Sequence, residues 1–275
     1  IELLYSRTVA RSMGAQAFPM GPSITIPRLA SGALAYWIGE NQAIVTSQPS
    51  FGELKMGLKK LAILVPISND VLRHAEIAAE GLIRADMLQA YKLKEDQAYI
   101  RGNGTEFSPR GLRYQVNEAN VFPSTGTALA NILADDVKLM GAVEDTDVPM
   151  DGAGWIMSNR SRRTLMQLRE NGQWVFRDEI LAGRWLGHPI AHTTALPINL
   201  GAGSDSELYF GAFPQLLIGD GLNGEIRAQD GVTYEDGGNV RSGFSRDQTA
   251  IRLIAEHDCA LRHDRAFAVL TGVQW

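Results

Sequence analysis

The sequence lacks features that mark several classes of protein. It contains a single cysteine, Cys259, which excludes an internal disulfide framework and fits a reducing compartment. No run approaches the roughly 18 apolar residues that a membrane-spanning helix needs. The first residues carry no basic stretch before an apolar core, so we predict no secretory signal in them. The net charge is −5 and lysine and arginine form no block, which argues against a chain that grips nucleic acid.

Readable catalytic motifs are missing as well. Residues 52–57 have the glycine spacing of a phosphate loop, but the lysine and Ser/Thr that should follow are absent. The glycines at 102 and 104 start a dinucleotide-like pattern in which Phe107 replaces the third glycine. No nucleophile elbow and no His-Glu-x-x-His occurs. We therefore predict no catalytic residue and no cofactor.

Potential metal ligands are few. His257, Cys259 and His263 would share one face of a strand, but a closed zinc site needs four ligands and no second cluster supplies them. The same count applies to His188 and His192, so we predict structural roles and no metal site. Paired acids are predicted to lie on solvated faces; they occur at residues 135–136, 144–145, 178–179 and 235–236.

The strongest positive signal is a long amphipathic helix over residues 70–101. Apolar residues recur at spacings of three and four, Ser68 or Asn69 can cap the start, and Gly102 suits a left-handed helix stop. Such a helix would be roughly 48 Å long, more than a compact domain of this size needs. We interpret it as a spine against which other elements and other subunits lie.

The rest of the chain mixes strands and helices without βαβ alternation, which predicts an α+β protein. Residues 1–32 look like an irregular, extended arm. Two strand-like runs at 33–38 and 54–67 enclose a polar, turn-rich segment and predict a long β-hairpin. That hairpin has too little apolar surface to be stable alone. Further predicted elements are a helix at 127–143, a buried strand at 154–157, a helix capped by Ser158 or Asn159, and C-terminal strands at 250–260 and 267–270.

In order and spacing, these elements resemble the major capsid proteins of tailed bacteriophages. The motifs that carry the resemblance lie at residues 35–40, 60–69, 95–98, 102–105, 109–112, 155–159, 186–190 and 209–211. The resemblance implies an N-terminal arm (1–32), an extended loop (33–60), a peripheral domain with the spine helix (61–123), an axial domain (124–249) and C-terminal strands completing the peripheral domain (250–275). The start at Ile1 is similar to a mature end left by a maturation protease.

The same resemblance implies a structural, non-enzymatic protein of the virion capsid, assembled in the host cytoplasm from pentamers and hexamers of itself. It would enclose double-stranded DNA without sequence-specific binding, with a portal, a protease and a cementing protein as further partners and no membrane. The expected subunit-interface residues belong to the extended loop: Trp37, Ile38, Glu40, Ile44, Val45 and Phe51. Residues 39–52 contain no lysine, so we expect non-covalent locking.

Two other functions stay open at this stage. An encapsulin-like compartment would share the fold but enclose an enzyme, and co-purifying DNA or cargo would separate the two. A small-molecule enzyme using Cys259 and the histidines would run as a monomer or dimer on size exclusion, whereas a capsid would form a megadalton shell.

Overall fold

The computed structural model describes residues 8–31, 34–44, 46–48, 50–74, 79–146, 148–222 and 224–275. Its mixed helices and strands agree with the predicted α+β class. The described helices are α1 Val9–Ser12, α2 Asn69–His74, α3 Ala79–Arg101, α4 Leu112–Gln115, α5 Leu129–Glu144, α6 Asn159–Gln167 and α7 Arg177–Leu181. None of them is long and apolar enough to cross a membrane.

The described strands form two larger sheets and three two-stranded ones. The first half of the chain supplies β1 Gln16–Pro19, β2 Ser23–Ser31, β3 Ser50–Gly57, β4 Lys59–Ser68, β5 Val121–Pro123 and β6 Ala153–Ser158. The second half supplies β7 Arg169–Glu170, β8 Gln173–Trp174, β9 Arg184–Trp185, β10 His188–Thr193, β11 Ser206–Ala212, β12 Leu216–Asp220, β13 Glu225–Asp230, β14 Thr233–Asp236, β15 Asn239–Ser242, β16 Gln248–Leu261 and β17 Phe267–Val273.

The first sheet is built around β16, its longest strand. β4 pairs antiparallel with β16 from Lys59–His257 to Ser68–Gln248, while β12 and β13 pair with β16 as well and β1 joins β12 in parallel. The α3 helix packs on this sheet through Met87 and Tyr91, which lie in one cluster with apolar residues of β4 and β16. This sheet therefore supports the spine helix.

The second sheet runs β5-β17-β11-β6-β10-β9. Every residue of β6 and β11 is buried, so both faces of its centre are covered. On one face, α5 and the aromatic rings of Trp155, Trp185 and Phe210 form a core. On the other, Tyr99 and Ile100 at the end of α3 meet side chains of both sheets, which joins the two sheets through the spine helix.

The spine helix differs in part from its prediction. The chain is helical over Asn69–His74 and Ala79–Arg101, and residues 75–78 lie outside the described part. Ser68 Oγ accepts a hydrogen bond from Asp70 N (3.3 Å), as expected of a cap. Leu82 and Leu93 follow the apolar spacing of the predicted helix but are exposed, because the buried line runs through Met87, Tyr91 and Ile100. Their surface is available to another element.

The helix stop at Gly102 has a different cause from the one predicted. Gly102 is not in the left-handed region; a side chain there would collide with the carbonyl oxygens of Pro109 and Ala98. Gly111 N donates to Gly102 O (2.9 Å), and a Cβ on Gly111 would collide with the same turn. Both glycines are therefore needed for close backbone approach, while Gly104 supplies the positive φ (68°).

The predicted hairpin partner was wrong. Residues 34–38 form no strand, and β3 pairs instead with β2, from Ser23–Gly57 to Ser31–Ser50. The predicted run 54–67 is two strands, because β3 ends at Gly57 and β4 begins at Lys59 in another sheet. The extended loop is thus the connection between β2 and β3.

The N-terminal stretch is also more regular than predicted. Its described residues form α1, β1 and β2, and β1 completes an edge of the first sheet. Residues 1–7 lie outside the described part. Residues 8–20 therefore pack on their own subunit, and the reach of the N-terminal arm onto neighbouring subunits stays a prediction.

One acid pair was misjudged. Asp135 and Asp136 are buried in α5, although we predicted a solvated face. Asp135 accepts hydrogen bonds from Thr125 N (2.8 Å) and Thr125 Oγ1 (3.0 Å) and so fixes the turn before the helix. Asp136 has no hydrogen-bond partner among the described residues, and burial, followed by the charge of Asp135, raises its pKa to about 9. It is therefore a neutral acid at pH 7.

Candidate subunit interface

The extended loop, residues 34–48 between β2 and β3, carries the largest group of exposed apolar side chains near one another in sequence. Trp37 is fully exposed and Ile44 is 79% exposed, and Phe51, which follows the loop at the start of β3, is 71% exposed. Glu40 is exposed too, and Val45 lies outside the described residues. Exposed apolar groups on this scale are characteristic of an interaction surface.

The loop is ordered by a few local hydrogen bonds. Leu34 N donates to Ser47 Oγ (2.8 Å) across its neck, and Gln42 N donates to Gly39 O (3.3 Å) at its tip. Asn41 takes a positive φ of 63°, which asparagine tolerates in a turn. These bonds shape the loop but bury none of the large side chains among its described residues. Its described apolar side chains therefore face solvent and do not pack against their own subunit.

The base of the loop is fixed to the first sheet. Gly57 N donates to Asp258 Oδ2 (2.9 Å), and Met20, Met56 and Ala260 form a small buried cluster below the β2–β3 ladder. Burial raises the pKa of Asp258, while the backbone hydrogen bond from Gly57 opposes that shift. The loop thus extends from one end of the β2–β3 ladder, and the other end of that ladder packs on the first sheet of the same subunit.

A buried ionic network holds residues 8–20 against the spine helix. Arg11 forms a bidentate contact with Asp220 (2.7 and 2.9 Å) and a second contact with Glu95 (2.9 Å). Its side chain is only 7% exposed. Burial lowers the pKa of Arg11, but the hydrogen bonds that it donates to Asp220 and the nearby negative charges raise it overall, so the guanidinium stays charged. The network ties α1, α3 and β12 together.

Asp96 completes this network from the adjacent position on the spine helix. Its Oδ1 accepts a hydrogen bond from Val9 N (2.8 Å), at the first residue of α1. Burial raises the pKa of Asp96 to about 7, partly opposed by the hydrogen bond from Val9. This acid therefore titrates near neutral pH.

A second buried carboxylate joins the end of the spine helix to the second sheet. Glu207 on β11 accepts hydrogen bonds from Arg101 (3.0 Å), Arg113 (3.3 Å) and the hydroxyl of Tyr209 (2.7 Å). Glu207 is almost completely buried, so these donors satisfy a charge that would otherwise be costly. Burial, followed by the charge of Glu207, raises the pKa of Tyr209.

His257 and Cys259 are both buried on β16. His257 lies edge-on to Tyr91 and Tyr99, with Nδ1 3.3 Å from Tyr91 Oη, and burial lowers its pKa. Cys259 donates to Arg110 O (3.4 Å), and burial raises the pKa of its thiol. Within the described ranges, no three His, Cys, Asp or Glu residues come together as a metal site. A buried thiol with a raised pKa is a poor nucleophile.

His188 and His192 both lie on β10. His192 Nδ1 is 2.9 Å from Asn159 Oδ1, and His188 meets the edge of Phe210. Burial, followed by the charge of Arg162, lowers the pKa of His192.

Sequence reasoning missed Arg11 entirely, because its partners lie 84 and 209 residues away and no spacing pattern marks them.

Comparison with known proteins agrees with this architecture. The Phage capsid family matches residues 1–272. A major capsid protein of Klebsiella oxytoca phage phiKO2 is 36% identical over 281 residues, covering 99% of this chain and 65% of that protein. One from Staphylococcus phage 80alpha is 22% identical over 243 residues, covering 86% of this chain and 71% of that protein.

Solved structures show the same fold. A structure from Mycobacterium phage Adephagia has a TM-score of 0.77 at 20% identity, covering 96% of this chain and 89% of that one. The capsid of a native GTA particle has a TM-score of 0.73 at 14% identity, covering 96% and 90%. The chain belongs to the phage capsid family and has the fold of tailed-phage capsid proteins. These matches do not favour the encapsulin-like alternative.

Proposed function

We propose that this chain assembles with copies of itself into the icosahedral capsid shell of a tailed bacteriophage. The carrying observation is the extended loop, whose large apolar side chains find no partner among the described residues of their own subunit. Full burial of such a side chain stabilises by about 1.5–3 kcal/mol. A neighbouring copy is the partner that membership of the capsid family supports. In this proposal Trp37, Ile38, Glu40, Ile44, Val45 and Phe51 form the interface.

The division into shell domains is part of the proposal. We retain the arm, the extended loop and the spine helix, and we assign the other elements by sheet. β12 to β15 would then join β4 and β16 in the peripheral domain, because β12 and β13 pair with β16. β17 would join the axial domain, because it pairs with β5 and β11. This changes the boundaries inferred from the resemblance at both 124–249 and 250–275.

The partners follow from the same proposal. Pentamers and hexamers of the chain would enclose double-stranded DNA, and the net charge of −5 supports enclosure without a tight grip on phosphates. Assembly would take place in the host cytoplasm with a portal, a maturation protease and a cementing protein. The chain itself would have no enzymatic role. Because residues 39–52 contain no lysine, locking of the loop would be non-covalent.

Deletion of residues 41–49 tests the proposal. We expect a folded subunit with an unchanged thermal midpoint that forms no closed shells, because the tip and Ile44 are removed while the β2–β3 ladder remains. Electron microscopy of the purified protein gives the readout. Replacing the same residues with a glycine-serine segment is the matched control for loop length and should fail in the same way. Normal particles from either variant would contradict the proposal.

A further inference from the structure

A second exposed surface lies far along the chain, on the short hairpin of β7 and β8 and on α7. We define the arginine surface by Arg169, Trp174, Val175, Arg177 and Leu181. The guanidinium carbons of Arg169 and Arg177 lie 3.6 and 4.8 Å from the centroid of the Trp174 ring. Trp174 and Val175 are partly exposed and Leu181 is 58% exposed. Exposed apolar side chains flanked by arginine have the composition of a protein interface.

The charge of this region opposes that of the whole chain. Residues 159–185 contain six arginines and three acidic residues, although the net charge of the chain is −5. Among the described residues, Arg162, Arg163, Arg169, Arg177 and Arg184 form no salt bridge. Stacking on Trp174 holds two of the guanidinium groups in place while their N–H groups stay available for an acidic partner.

The outer face of α5 carries the complementary chemistry. We define the acidic surface by Val137, Gly141, Glu144 and Asp145. Both carboxylates are exposed and form no salt bridge in the described part of the chain, and no basic residue occurs between Lys138 and Arg160. Val137 is exposed on the same face, since it lies seven residues before Glu144.

Gly141 is a second, independent indication that another molecule contacts this face. Glycine in the interior of a helix is unfavourable, yet a side chain at Gly141 would meet nothing within 4 Å in its own subunit. Packing within the subunit therefore does not require a glycine at this position. A bare backbone with open space above it suits close approach by a side chain from outside.

We infer that the arginine surface of one copy docks on the acidic surface of a second copy. The inference rests on the proposed function and names one contact of the shell. The two surfaces are different patches of one chain, so the contact is heterologous, which is the type that closes into rings. A protein partner is favoured over a phosphate backbone because Val175 and Leu181 need an apolar partner, which Val137 offers.

Charge reversal tests the contact. We expect the pair Arg169→Glu and Arg177→Glu to raise the protein concentration needed for shell formation at least about tenfold, and the pair Glu144→Arg and Asp145→Arg to do the same. Combining all four substitutions should return that concentration to within about threefold of the unaltered chain. Arg252→Glu, an exposed arginine on β16 without a salt bridge among the described residues, is the charge control. Light scattering and electron microscopy measure assembly, and thermal midpoints identify variants that are folded.

Gly141→Gln separates folding from assembly. A Cβ at this position meets no atom of its own subunit within 4 Å, and glutamine favours the helix over glycine, so the thermal midpoint should rise by about 2 °C or more. Assembly should nevertheless become weaker, because the new side chain fills the space taken by the second copy. Assembly equal to that of the unaltered chain would overturn the inference.

The remaining outcomes are distinguishable. Shells formed normally by both charge-reversed pairs, or no rescue by the fourfold variant, would overturn the inference and leave the proposed function intact. Normal shells that retain less DNA would overturn it in favour of a nucleic-acid surface. Failure of the unaltered chain to form any shell would overturn the proposed function itself.

Discussion

Residues 8–20 and the extended loop are close in sequence, but their surroundings are opposite. The first stretch is held inside its subunit by Arg11, which contacts Glu95 and Asp220 in a largely buried site. In the second, Trp37 is fully exposed, and the hydrogen bonds among its described residues are local. Both stretches were expected to reach onto neighbours. The difference teaches that buried, paired charge marks an intrasubunit attachment, whereas exposed apolar side chains are the surface that we propose for the contact with another copy.

The largest effect on subunit stability is expected at Arg11. Arg11→Ala would leave Glu95 and Asp220 buried without their cation, which costs about 3–5 kcal/mol of unfolding free energy. Urea denaturation of the unassembled chain measures this value. Lys55→Ala, which breaks the exposed pair with Glu53, is the control and should cost less than about 1 kcal/mol. If Arg11→Ala and Lys55→Ala lowered the unfolding free energy equally, residues 8–20 would not be held to their subunit by the buried charges.

The loop should show the reverse behaviour. Trp37→Ala should change the unfolding free energy by less than about 0.5 kcal/mol, because Trp37 contacts water in the free subunit. It should weaken each contact between copies by about 2 kcal/mol or more, as truncation of a central interface tryptophan does. Sedimentation of assembly mixtures gives the readout, with the exposed Gln48→Ala as control. Normal assembly of Trp37→Ala would place the essential contact elsewhere.

A smaller, pH-dependent effect is expected at Asp96. Its pKa is about 7 in the folded chain and about 3.8 ordinarily, so the folded state binds the proton more tightly. Stability from this acid is therefore fully present below about pH 4 and is lost as pH rises towards 7. Asp96→Asn should remove that slope and be more stable by about 2 kcal/mol at pH 8. Unfolding curves from pH 4 to 8 measure it, and an unchanged slope would contradict the assignment.

The sequence was sufficient where local chemistry decides the structure. Ser158 was predicted as a cap, and its Oγ accepts a hydrogen bond from Ser161 N (3.1 Å). The end of the spine helix at Arg101 was predicted as well, although Gly102 is required by close backbone approach rather than by its own φ. The exposure of Trp37, Ile38, Glu40, Ile44 and Phe51 is the state an unpartnered loop implies, while their role as an interface stays a prediction.

The sequence was insufficient where distant residues decide. The partner of β3 was misassigned, because residues 23–31 and 33–38 both read as extended and only pairing in space selects the former. The burial of Asp135 and Asp136 could not be seen, since an acid pair in a helix normally faces water. The stacking of Arg169 and Arg177 on Trp174 was also missed, because no periodicity in the sequence marks it.

The most direct test of the central claim is the accessibility of Trp37 in free subunits and in shells. Trp155, Trp185 and Trp275 are buried, so quenching of fluorescence by iodide reports mainly on Trp37 and Trp174. The difference between the unaltered chain and Trp37→Phe isolates the signal of Trp37. We predict that this signal is quenched in free subunits and protected in assembled shells. Equal quenching in both states would show that the loop remains in water after assembly and would contradict the account.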